Sequence, residues 1–131
     1  MTVSISVGTR FPAYATSMGR APLAHADPAW LDEYPSTVQM EPLTRTTVTS
    51  PDRLRAVLGR ARAQGFCLVD QELEEGLRSI AVPVHDSAGA VVAAMNVSAH
   101  ISRGSAEAVR QELLPELLAS ARLIEEALSN R

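Results

Sequence analysis

Apolar and polar residues alternate from the start of the chain: Val3, Ile5 and Val7 share one face of residues 2–7, the two-residue period of a half-buried strand. The pattern breaks at Pro12 and at the small run Ala15, Thr16, Ser17, where Thr16 or Ser17 can cap a short helix by accepting from its free backbone amides. Pro22 keeps that helix short or kinks it. Asp27 followed by Pro28 predicts a second helix start, a turn or two running through Trp30, Leu31 and Tyr34. Residues 35–42, bounded by prolines, read as irregular, and residues 44–49 as a threonine-rich connection. Ser50 and Pro51 repeat the cap-and-proline start. Leu54, Val57, Leu58 and Ala61 then form one helical stripe, which Gly65 is placed to end in a left-handed conformation.

Residues 66–69 form a short apolar run that predicts a buried strand. Residues 77–84 and 91–98 are the two clearest strand candidates, joined through Asp86, Ser87, Ala88 and Gly89 as an antiparallel hairpin. With residues 2–7 they predict about four strands of one sheet. From Ser105 the period returns to helical, with Val109, Leu113, Leu117, Ala121, Ile124 and Leu128 on one stripe; Pro115 is tolerable there near a helix start or at a kink. This order predicts an α+β domain, an antiparallel sheet with covering helices.

Composition narrows the function. The 131 residues suit one domain, and 46% hydrophobic content is enough to build its core. Twelve basic residues against fifteen acidic ones, for a net charge of −3, lack the clustered cations a phosphate backbone requires, so no direct DNA contact is expected. Cys67 is the single cysteine, which excludes an internal disulfide and points to the cytoplasm. No stretch approaches the ~18 apolar residues of a membrane span. His25, His85 and His100 lie in separate segments without ligand spacing, so no metal is expected. Cys67 sits in an apolar strand and reads as core rather than nucleophile. Glu74 and Glu75 read as a solvated turn, and no phosphate loop or nucleophile elbow appears. No enzyme, catalytic residue or cofactor is expected.

Three blocks carry a family resemblance. Val7-Gly8-Thr9-Arg10-Phe11-Pro12-Ala13-Tyr14-Ala15-Thr16-Ser17-Met18-Gly19-Arg20 is similar to the loop-and-helix signature that opens the ligand pocket of IclR-type bacterial transcription regulators. The segment from Gly65 through Asp70-Gln71-Glu72-Leu73-Glu74 to Pro83-Val84 resembles the family's strand, acidic turn and strand, and Val91-Val92-Ala93-Ala94-Met95-Asn96-Val97-Ser98 completes the hairpin. The Tyr-Ala-Thr-Ser-Met-Gly-Arg and Asp-Gln-Glu-Leu-Glu forms look most like regulators of aromatic-acid breakdown, which respond to protocatechuate, 4-hydroxybenzoate or related acids. The resemblance implies a GAF-like effector-binding domain over residues 1–131, incomplete on its N-terminal side and lacking the helix-turn-helix domain. It further implies assembly as a homo-dimer or tetramer. Pro22 departs from the family, which continues a helix with apolar residues there.

Mapped by motif, the resemblance selects Thr16, Ser17, Gly19, Glu72, Ser79, Asn96 and Ser98 as pocket residues. A small carboxylate needs a few fixed donors in an apolar wall, and hydroxyls and amides supply them without a bare charge in the core. Asn96 and Ser98 lie two apart on one strand and point to one face; taken without the resemblance, they fit a polar outer face equally. Arg10 and Arg78 are the nearest cations, shaped either to bind an acidic effector or to pair with Glu72, Glu74 or Glu75. Met18 and Met95 serve as adaptable pocket walls or as ordinary core. The leading function is a sensor of an aromatic or other small carboxylic acid. The alternatives are a dimerisation fragment without a working pocket, which a large exposed apolar face would favour, and a small enzyme, for which no constellation speaks.

Overall fold

Each helix begins on a side chain that satisfies its free amides. The computed structural model of the chain describes residues 7–130. A 3-10 turn over Ala13–Ala15 leads into α1 (Ser17–Leu23), whose cap Thr16 is extended and accepts from Gly19 N through its hydroxyl. The Asp27 carboxylate accepts from Ala29 N and Trp30 N to start α2 (Pro28–Thr37). Ser50 does the same for α3 (Pro51–Gln64), which Gly65 ends at φ 82°, a conformation open to glycine at little cost. Strands β1 (Cys67–Asp70), β2 (Leu77–His85) and β3 (Val91–His100) follow, and Ser105 caps the long α4 (Ala106–Ser129).

The strands form an antiparallel sheet in the order β1-β2-β3, with Cys67 opposite Ala81, and Ser79 opposite Ser98. Strand alternation then sorts the side chains into two faces. Ile80, Val82 and Val84 pack against Val109, Leu113, Leu117 and Ala121 of α4. Cys67 and Val69 face the other way, onto Tyr14, Ala15, Leu54, Leu58 and Ala61. The result is three layers: α4, the sheet, then α1 with α3. Leu54, Leu58 and Ile80 are buried completely, and each stabilises the fold by about 1.5–3 kcal/mol relative to exposure. Pro83 is accommodated because β1 ends its pairing at Ala81, so the missing N–H deprives no partner.

Three expectations change, and a fourth falls almost wholly outside the described residues. The strand at residues 2–7 lies outside the described residues except for Val7, which sits in an exposed turn, and the described sheet has three strands. Residues 35–42 are not irregular throughout: α2 runs on through Pro35, whose ring is buried, and Val38 N donates to Tyr34 O to close it. Pro115 lies well inside α4 rather than near its start. It is exposed, as is Gln111 one turn earlier, so the carbonyl it leaves unpaired faces water while the buried stripe holds the helix. Ile124 is 40% exposed, because the buried stripe follows a four-residue step to Ala121 and leaves Ile124 off its line.

Candidate functional site

Where the start of α1 meets β2 and β3, the second layer leaves a cavity. Its polar arc is Thr16, Ser17, Ser79, Asn96 and Ser98; its apolar wall is Phe11, Ala15, Met18, Val69, Leu73 and Leu77. The enclosed interior is small, about 20 Å³, within a space of about 360 Å³ between atoms that includes the open mouth. The interior has room for little more than one water. The described residues lining the cavity carry no charged side chain.

Local sequence explains how the polar arc is held. Thr16 uses its hydroxyl twice, accepting from Gly19 N at 3.2 Å and donating to Pro12 O at 3.1 Å. Gly19 is required by space: a Cβ there would lie 2.4 Å from Ala13 Cα and 2.7 Å from Ala13 O. Strand alternation puts Ser79, Asn96 and Ser98 on the face toward α1, with Ser79 and Ser98 directly opposite. The Ser17 hydroxyl donates to the Ser79 hydroxyl at 2.8 Å, joining the helical half of the arc to the sheet half.

Of the residues chosen from the sequence, Thr16, Ser17, Met18, Ser79, Asn96 and Ser98 line this one cavity, and Arg10, Gly19, Glu72 and Arg78 do not. Arg10 is exposed in the loop before the cavity. Gly19 faces the Ala13 turn and acts through packing. Arg78, next to Ser79, points to the opposite side: it donates to Asp70 Oδ1 at 2.8 Å and also to the Gly104 carbonyl, clamping the end of the sheet. Glu72 is buried and meets Arg20, whose Nη1 and Nη2 donate to its two carboxylate oxygens at 2.8 and 2.7 Å. Met95 packs on the α4 side, which leaves it in the core.

Arg20 is the residue that motif reasoning passed over. The sequence does hold a signal for it, a lone cation in a run of small and apolar residues from Ala13 to Leu23, which must find a counter-charge if that run is buried. The apolar wall of Phe11, Leu73 and Leu77 was also not singled out, although Leu77 lies two residues before Ser79 and so shares its face. Away from the cavity, burial pushes the Cys67 thiol up to about 11 and keeps it protonated. His25 and His85, far apart in sequence, meet edge to face with ring centroids 6.1 Å apart. His85 Nδ1 lies 2.7 Å from Glu125 Oε2.

Comparison with known proteins agrees with this arrangement. Residues 1–126 match the family described as bacterial transcriptional regulator IclR C-terminal. The Pca regulon regulatory protein of Pseudomonas putida is 49% identical over 122 residues, which are 93% of this chain and 42% of that protein. The chain therefore spans less than half the length of that relative. A transcriptional regulator of Rhodococcus sp. RHA1, RHA06195, shares the fold with a TM-score of 0.94 at 45% identity, covering 99% of this chain and 52% of its own. The inducer-binding domain of a PobR transcription factor double mutant from Acinetobacter, solved in complex with 3-hydroxybenzoic acid, has a TM-score of 0.87 at 30% identity, covering 94% of this chain and 72% of its own. These relatives are regulators of transcription and not enzymes. A match across nearly the whole sequence, joined to the same three-layer α+β fold, places the chain in the IclR C-terminal family of bacterial transcriptional regulators.

Proposed function

We propose that the cavity binds a small organic acid, with the hydroxybenzoates as the leading class, and that binding is the sensing step of a longer transcription regulator. One observation carries this reading: five neutral polar side chains are gathered on one side of an apolar wall, in a chain whose fold matches an inducer-binding domain solved with 3-hydroxybenzoic acid. Hydroxyls and a carboxamide can hold a carboxylate and a ring hydroxyl, while Phe11, Met18 and Leu77 pack on the ring. The narrow interior makes binding a conformational event, because a ring fits only if the lining, which the Ser17 to Ser79 bond helps hold together, moves apart. A ligand that binds the opened form better shifts the population toward it, and that differential affinity is what a regulator needs.

A thermal-shift series with 3-hydroxybenzoate, 4-hydroxybenzoate and protocatechuate, followed by calorimetry, tests the reading. Ligand at 100 times its Kd adds about 2.7 kcal/mol to stability. Ser79→Ala and Asn96→Ala should each abolish the shift while the protein stays folded. No shift from any of the three acids refutes the hydroxybenzoate assignment. A second reading, self-association through the sheet edge, is favoured by Val92, Val97 and Ile101, exposed by 55%, 36% and 37% in and beside β3. Sedimentation of the unliganded chain as a monomer would refute it.

A further inference from the structure

The ion pair of Arg20 with Glu72 lies outside the cavity, one helical turn beyond Thr16. Both side chains are little exposed, Arg20 1% and Glu72 11%, and they lie at the base of a second, polar cleft that Arg53, Arg60 and Asp70 also line. Arg20 Nε donates to Tyr14 O at 2.6 Å while Nη1 and Nη2 grip the carboxylate. Glu72 Oε1 also accepts from Val48 N at 2.9 Å, and the Thr47 hydroxyl donates to Glu72 O at 2.7 Å. One guanidinium thus ties together the turn before α1, the stretch around Thr47 and Val48, and the turn after β1.

Such a pair is a poor device for stability alone, since removing two charges from water offsets most of their attraction, and well-packed apolar residues serve as well. What a planar fork on a carboxylate does supply is one fixed orientation. The body it orients is rigid. Gly19 is pressed on Ala13, and the Thr16 hydroxyl spans Pro12 and Gly19, so Thr16, Ser17 and Met18 travel with Arg20 as one block. At the cavity that block meets the sheet through the bond from Ser17 to Ser79, a contact that admitting a ring to the narrow interior would loosen. Once that contact opens, the anchor at Arg20 still fixes where Thr16 and Ser17 stand relative to Ser79, Asn96 and Ser98.

We infer that Arg20 and Glu72 form the positioning pair of the effector cavity, setting ligand affinity without touching the ligand. The inference rests on the sensing function proposed above. It is tested with Arg20→Lys, which keeps the charge and loses the fork, and with the double variant Arg20→Met/Glu72→Met, which replaces the pair by apolar side chains. For each, calorimetry with 3-hydroxybenzoate is run well below the unfolding midpoint, where circular dichroism shows the folded state, and the midpoint is measured separately. The double variant leaves Tyr14 O and Val48 N without their side-chain partners, so its midpoint should fall; measured in the folded state its Kd should rise at least tenfold, and the lysine variant should fall between it and wild type. Wild-type affinity in a folded double variant overturns the inference, as does a loss that merely follows the midpoint. Should the double variant not fold, the lysine variant decides: equal affinity to wild type overturns the inference. Wild type that fails to bind 3-hydroxybenzoate overturns the hydroxybenzoate reading and the inference together, whereas wild-type binding with unaffected variants overturns the inference alone.

Discussion

Replacing Gly19 by alanine sets two effects of opposite sign against each other. Within a helix, alanine is favoured over glycine by about 1 kcal/mol, because it has less conformational freedom to lose. Here the added Cβ would stand 2.4 Å from Ala13 Cα, where ordinary contact begins at 3.4 Å, so α1 and the Ala13 turn must separate by about 1 Å. Two of the three crowded atoms are backbone, which cannot rotate away. Overpacking of this kind costs up to about 3 kcal/mol, so the strain outweighs the propensity gain and a net loss of about 1–2 kcal/mol is expected. For a chain of this size that is a fall of roughly 3–8 °C in Tm. Gly59→Ala in α3 is the matched control: a Cβ there meets nothing within 4 Å, so the propensity term stands alone and Tm should rise. Urea or thermal unfolding of the two variants beside wild type is the assay. Equal shifts of the same sign in both glycine variants would refute the steric account. Because the displaced block carries Thr16 and Ser17, ligand affinity should fall in Gly19→Ala and hold in Gly59→Ala.

Two further outcomes concern α4 and the histidine pair. Pro115→Ala should stabilise the chain by about 1–3 kcal/mol, since it restores the bond to the Gln111 carbonyl at a cost of some added freedom in the unfolded state; a lower unfolding midpoint in urea would contradict this. His25 is held below the usual histidine range by burial first, then by His85 and Arg62 nearby. The unfolded chain therefore binds more protons near the ordinary histidine value of about 6.5, so this contribution is complete above that pH and is lost as pH falls through it. His25→Gln should flatten the dependence of Tm on pH between 7.5 and 5.5, and parallel curves for variant and wild type would reject the assignment. Glu125 is held below the usual carboxylate range by the His85 backbone amide and ring, so its contribution is lost at lower pH, below about 4.5.

What could be read from the sequence is what depends on neighbouring residues. Thr16, Asp27 and Ser50 each cap the helix they precede, because a cap is satisfied within three residues. The same holds for the face shared by Ser79, Asn96 and Ser98, which a two-residue period decides. Glu72 shows where this stops. Its place in an acidic turn gives no sign that a guanidinium 52 positions earlier will claim both of its oxygens. Of the two readings the sequence leaves open for Arg78, the structure favours pairing, though with Asp70 and the Gly104 carbonyl rather than with the acidic turn, because adjacency to Ser79 in sequence means opposition across the sheet. Pro35 and Pro115 look like breaks because the local cost of proline is visible in sequence, whereas the burial of Pro35 and the exposure of Gln111 are not.

The absence of charge from the described cavity lining has a kinetic consequence. Fields that speed the capture of anions come from cations focused in a cleft, and they fade as salt screens them. Here an acid would arrive by unassisted diffusion toward a chain of net charge −3, and dissolved ions would weaken the small repulsion it meets. Capture should therefore vary little with ionic strength, leaving the rate at which the narrow lining moves apart to govern how quickly the domain responds.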